Sequence, residues 1–210
     1  MIALESVRFG YNTDETIIDT LSWDFAAGAM TAVTGPSGKG KSTLLYLIGL
    51  LVTPWSGVIR FGDVDAGGLT DVKRSGIRAS RVGFVFQDAA LDPTRTVLDN
   101  IIESSLYTNT SRSDAISRAE DLMDRFEVGL RADHKPGEVS GGQAQRIALC
   151  RALINQPEII LADEPTGNLD SRTAGVVLEA FEQLAGEGNT VIVATHDQTI
   201  VDRCDQVLDL

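Results

Sequence analysis

The sequence is poor in the groups that disulfide frameworks, metal clusters and membrane spans require. Two of its 210 residues are cysteine, Cys150 and Cys204, and two are histidine, His134 and His196. None of these has metal-type spacing, and the two cysteines are expected to be reduced thiols. The longest apolar run, Leu44 to Val52 with Gly49 counted in, is far short of a membrane span. Met1-Ile2-Ala3-Leu4-Glu5 has neither the basic nor the apolar region of a secretory leader, so the expected location is cytoplasmic. Positive charge is scarce as well. Lys and Arg number 18 against 30 Asp and Glu, a net charge of −12, which argues against a nucleic-acid partner. There is no internal repeat and no low-complexity tract. What remains, 43% hydrophobic and 23% charged, is an ordinary globular balance in a chain long enough for one domain with a proper core.

One stretch carries chemistry by itself. Gly35-Pro36-Ser37-Gly38-Lys39-Gly40-Lys41-Ser42 fits the pattern G-x-x-x-x-G-K-[ST], followed by Thr43. Glycines let successive N–H groups turn inward as an anion nest, and the helix that starts there adds the positive end of its dipole. Lys41 would stand between β- and γ-phosphates, and the Ser42 hydroxyl would be a Mg²⁺ ligand. The context agrees. Met30-Thr31-Ala32-Val33-Thr34 reads as a buried strand, and residues 42–51 as an apolar central helix. Strand, glycine loop and helix together predict binding of a nucleoside triphosphate.

A second strand, Ile159-Ile160-Leu161-Ala162, ends in Asp163-Glu164-Pro165. Buried acids are costly unless paired or bound to a cation. Asp163 is therefore the natural partner of a phosphate-bound Mg²⁺, and Glu164 could orient or deprotonate a water.

Other positions are open to two readings. Tyr11, in the turn-rich loop after Phe9, is a stacking platform for a base or a packed loop tyrosine. Gln87, after the apolar 82–86, lies where ligands bind in an open α/β sheet, touching Mg²⁺ or the attacking water, or is simply solvated. Ser140-Gly141-Gly142-Gln143 before a helix is an anion site or an ordinary N-cap. His196, past the apolar 190–194, could hold a γ-phosphate or serve structure alone.

Alternation over residues 2–9 and 21–25 predicts antiparallel strands near the start, and 58–61 a further short strand. Residues 62–71 read as polar and turn-rich. From 96 to about 128 the spacing turns helical, broken at Asn109-Thr110-Ser111, with Ser113 or Asp114 as cap of the second helix. Helices are also expected over 144–155 and 171–185. The fold class is α/β, a P-loop NTPase (RecA-like) core with an N-terminal antiparallel β subdomain and an inserted α-helical subdomain. A single domain spans 1–210, its core about 1–87 and 156–210 and its helical part about 88–155.

Phosphate loop, glutamine after a strand, Ser140-Gly141-Gly142-Gln143, strand with Asp163-Glu164, and late His196 follow in an order that resembles the nucleotide-binding subunits of ABC transporters. Val82-Gly83-Phe84-Val85-Phe86-Gln87 and Asp163-Glu164-Pro165-Thr166-Gly167-Asn168-Leu169-Asp170 look like the branch of lipoprotein-release, macrolide-export and cell-division ATPases. Departures are Val139, where leucine is usual, and Lys39 at a position often small or uncharged.

The resemblance implies that Tyr11 stacks on adenine and that Gly35, Pro36, Ser37, Gly38, Lys39, Gly40, Lys41, Ser42 and Thr43 hold the phosphates. Ser42, Gln87 and Asp163 would bind Mg²⁺. Glu164 would be the catalytic base, with His196 and Gln87 at the γ-phosphate. Ser140, Gly141, Gly142 and Gln143 would reach ATP on the opposite subunit of a head-to-tail homodimer or a pair with a second ATPase subunit. Asn168-Leu169-Asp170 would communicate between the two. A separate membrane permease would be the partner, with the chain peripheral to the inner face of the membrane. The same motor could instead work as a signalling clamp that moves no solute.

Overall fold

The computed structural model describes residues 1–167 and 169–210. Strands β1 (Ile2–Phe9), β2 (Ile18–Phe25), β4 (Ser56–Phe61) and β5 (Val64–Asp65) make an antiparallel sheet in the order β2-β1-β4-β5. The expected strand over 21–25 begins earlier, at Ile18, because Ile18 is buried opposite Phe9. In β1 the inward set changes from Ile2 and Leu4 to Val7 and Phe9, and the pairing register shifts there, with Ser6 at φ +50. A bulge of this kind re-aims the side chains that follow it.

The second sheet is wholly parallel. It contains β3 (Met30–Thr34), β6 (Val82–Val85), β7 (Ile159–Asp163), β8 (Thr190–Ala194) and β9 (Gln206–Asp209), in the order β6-β7-β8-β3-β9. Strands covered on both faces read as continuous apolar runs, and β7 and β8 are buried at every position. Ile159 and Leu161 pack with Leu44, Leu45 and Ile48 of helix α1 (Lys41–Ile48) and with Ile2, Phe25 and Phe61 of the antiparallel sheet. Ile160 and Ala162 pack on the other side, with helices α5 (Gly141–Leu153) and α6 (Ser171–Gly186). Helix α1 thus lies between the two sheets, which is why it is apolar nearly all round. It stops at Ile48 rather than at residue 51, because Gly49 closes its last turn on Leu45 O and Leu50 takes φ +56.

Helix α2 (Asp71–Arg81) was not foreseen. It is polar overall and none of its residues is fully buried, Ile77 alone packing partly on the core, so few apolar residues mark it in the sequence. Helices α3 (Val97–Ile102) and α4 (Arg112–Arg125), joined by a 3₁₀ turn Glu103–Tyr107, form the helical block with α5. Ser111, not Ser113 or Asp114, caps α4; its hydroxyl accepts from Asp114 N at 3.1 Å. The block has no separate core, since Ile101, Met123 and Cys150 share one cluster with Val85 and Ile160 of the parallel sheet. A last short helix, α7 (Gln198–Val201), leads into β9.

Candidate nucleotide site

All five strands of the central sheet run parallel, so the carboxyl ends of β3, β6, β7 and β8 share one edge. Ligands of open α/β sheets bind along such an edge. The loops there carry the residues that the sequence singled out.

From β3, the chain turns through Gly35 (φ +130), Gly38 (φ +82) and Gly40 (φ +97) into α1. Gly40 is the N-cap and offers no side chain to the first turn, so the N–H groups there are left without a side-chain cap. The Lys41 ammonium folds back over the loop and donates to Gly35 O at 2.8 Å and Pro36 O at 3.3 Å. Residues 36–39 are exposed, Lys39 included, while Thr43 is buried. The Thr43 hydroxyl stands 3.4 Å from the Tyr11 hydroxyl. Tyr11 is 57% exposed and braced edge-on by Phe9 with ring centres 5.1 Å apart, which leaves ring surface free beside α1.

From β7 comes Asp163, buried, with the Ser42 side chain near enough to favour its charged form. Burial pushes its pKa up, the Ser42 side chain opposes this, and Glu164 adds repulsion that the Lys41 charge partly offsets. A carboxyl group held in that setting is suited to a divalent cation, which would remove the burial penalty on the charged form. Glu164 takes φ +44 at the strand end, with its N–H bonded to Ala194 O at 2.9 Å. Its Oε2 accepts from the Thr195 hydroxyl at 3.3 Å, and its Oε1 lies 2.7 Å from His196 Nδ1. With the carboxylate as acceptor the imidazole donates from Nδ1, and His196 itself is exposed. Sequence reasoning missed Thr195; a threonine between the apolar 190–194 and His196 was the available signal.

Gln87 is exposed in the turn after β6, beside Gly167. Ser140 caps α5 reciprocally with Gln143: its hydroxyl accepts from Gln143 N at 3.3 Å, and its N–H donates to Gln143 Oε1 at 3.0 Å. Gly141 is open to solvent, and a Cβ on Gly142 would meet Thr173 of α6 at 2.9 Å. The structure therefore gathers Tyr11, the glycine loop, Asp163, Glu164 and His196 into one region. Among the described residues, no hydrogen bond joins Ser140 or Gln143 to the glycine loop. Asn168 lies outside the described residues, and Asp170 caps α6.

Comparison with known proteins agrees with this geometry. The profile of the ABC transporter family matches residues 18–167. The chain is 38% identical over 213 residues to the lipoprotein-releasing system ATP-binding protein LolD 1 of Rhodospirillum rubrum, covering 100% of this chain and 94% of that one. It is 39% identical over 210 residues to the macrolide export ATP-binding/permease protein MacB of the same organism, of which it spans 32%. The dimeric structure of MJ0796, a bacterial ABC transporter cassette, superposes with a TM-score of 0.92 at 35% identity, over 100% of this chain and 94% of that one. MJ0796 is also solved as a post-hydrolysis dimer bound to ADP and Pi, with the same TM-score of 0.92. By its matched residues, its likeness to these cassettes and the site it builds, the chain belongs to the ABC transporter family, as an ATPase subunit of the kind found in lipoprotein-releasing and macrolide-export systems.

Proposed function

We propose that the chain is a single ABC ATPase domain, core at 1–87 and 156–210 and helical part at 88–155, that drives a separate membrane permease by ATP-dependent pairing of two copies. Among the described residues, no helix is long and apolar enough to cross a membrane. The power stroke would act on a membrane-crossing permease, and the chain would sit at the inner face of the membrane through that partner. The observation that carries the reading is Lys41 folded over the glycine loop at the end of β3, with the buried Asp163 at the end of β7 on the same edge of the parallel sheet.

Tyr11 would stack on adenine, and residues 35–43 would wrap the phosphates, with the Lys41 ammonium exchanging its carbonyl partners for phosphate oxygens. Ser42, Asp163 and Gln87 would hold Mg²⁺, which when bound neutralises charge on the β- and γ-phosphates. Among the described residues no three His, Cys, Asp or Glu side chains cluster as a metal cage, and Mg²⁺ on a nucleotide needs only one or two carboxylates. Glu164 Oε1, released from His196, would take the proton of a water that attacks the γ-phosphorus, with ADP leaving on the opposite side. His196 would then donate to a γ-phosphate oxygen. Among the described residues, the side chains of Ser140 and Gln143 hydrogen-bond only to cap α5, which suits a segment with Gly141 and Gly142 that holds a γ-phosphate of the other copy. Contacts that need the γ-phosphate favour the closed pair only while ATP is intact, the differential affinity that a population shift requires.

Light scattering of the Glu164→Gln chain tests this. With ATP and Mg²⁺ it should bind nucleotide, slow hydrolysis by about 100-fold or more and accumulate as a dimer. Unchanged turnover, or a strictly monomeric chain hydrolysing at full rate, contradicts the proposal.

A further inference from the structure

The residues that follow Gln87 adopt a conformation that their side chains disfavour. Ala89 (φ +60) and Ala90 (φ +45) stand consecutively in the left-handed region, which crowds a Cβ against the following carbonyl. Side chains of the helical block hold their main chain there. From α5, the Gln145 amide, 3% exposed, donates to Phe86 O at 3.1 Å. The Arg151 guanidinium donates to Ala90 O at 2.6 Å and to Ala89 O at 2.7 Å. From α3, the buried Asn100 accepts from Asp92 N at 2.7 Å and donates to Asp92 O at 3.1 Å. Burial works against the Arg151 charge, while Glu103 and Asp88 support it. The bend also lies against the start of α5, where Gln87, Ala89, Gly141, Ala144 and Pro165 line one cavity of about 200 Å³.

We infer that Arg151 and Gln145 are positioning residues for Gln87: by gripping the carbonyls of Phe86, Ala89 and Ala90 they hold the left-handed bend and tie it to the helix that opens with Ser140. Charge-assisted bonds are the stronger kind, and two of them from one guanidinium fix direction as well as distance. Among the described residues, neither side chain hydrogen-bonds to the glycine loop. Their effect is that Gln87 and the first turn of α5 move as one body, so a contact made at Ser140 is felt at Gln87. This rests on the reading of Gln87 given above.

The test uses the full chain and measures ATP turnover, affinity for a fluorescent ATP analogue, and amide exchange across residues 88–92. Arg151→Met keeps the stem and removes the donors. Turnover should fall about tenfold, affinity should stay within about twofold, and exchange at 88–92 should quicken. Arg151→Lys, which keeps the charge on a single point donor, should fall between and guards against a misfolded methionine variant. Adding Ala89→Gly and Ala90→Gly to Arg151→Met should recover turnover, because glycine takes the left-handed bend without a Cβ penalty. A role in core packing alone predicts no such rescue. Unchanged exchange in Arg151→Met, equal losses of affinity and turnover, or absent rescue overturns the inference. Gln87→Ala separates the two claims: full turnover there removes the catalytic reading of Gln87 and the purpose of the strap with it. Lost turnover in Gln87→Ala beside normal turnover in Arg151→Met overturns the strap alone.

Discussion

Replacing Gly40 by alanine measures how much the shape of the phosphate loop contributes to binding. Gly40 has φ +97 and ψ 14, outside helical space, and it immediately precedes Lys41. Holding an L-residue in the left-handed region costs about 1–2 kcal/mol. The new Cβ would also sit 2.6 Å from Ile17 Cγ2 and 3.1 Å from Ile18 Cδ1. Overpacking of this kind costs about 1–3 kcal/mol, so the total is about 2–5 kcal/mol. Gly38 supplies the control: it has φ +82, but an added Cβ meets nothing within 4 Å. Gly38→Ala should therefore lose only the backbone part, and the two variants should differ by about 1–3 kcal/mol, roughly 5- to 150-fold in ATP affinity if the folded loop bears the strain. Equilibrium binding of a fluorescent ATP analogue, with denaturant unfolding of the same samples, divides the loss between affinity and stability. Adding Ile17→Ala to Gly40→Ala should recover the steric share and leave the backbone share. Equal effects of the two glycine variants, or no recovery in the double variant, would refute the assignment of the loss to these contacts.

Asp163 predicts a pH dependence of the nucleotide-free chain. Its folded pKa is raised by burial, so the folded state binds its proton more readily than the unfolded state, and stability from this group falls as pH rises from the ordinary carboxylate value through the raised one. Asp163→Asn should flatten that part of a Tm-against-pH curve measured without nucleotide; an unaltered slope assigns the dependence elsewhere. Ser140→Ala should cost about 1 kcal/mol of stability through loss of the α5 cap. It should leave ATP binding by the single chain intact while abolishing the dimer that Glu164→Gln accumulates. Persistence of that dimer would confine Ser140 to capping.

Much of this site was legible in order along the chain, because its pieces are local. A nest of N–H groups is made by adjacent residues, so the glycines and Lys41 declare it without any knowledge of the fold. The apolar run of β7 with Asp163 at its end is equally local. The sequence by itself determined the strand–loop–helix unit, the buried strands and the residue types the chemistry needs.

Tertiary structure decided what depends on pairing between distant segments. Helix α2 has few apolar residues and none fully buried, so it became evident only in the folded chain. The contact of Glu164 with His196 spans 32 residues and exists because β7 and β8 are neighbours in the sheet. Gln145 and Arg151 read as polar interruptions in an apolar helix; their carbonyl partners lie 59 to 62 residues away in sequence. Side-chain grips on main-chain carbonyls carry no residue-type signal at the accepting end, since every residue has a carbonyl. That is why the loop behind Gln87 was visible only once helix and strand had been brought together.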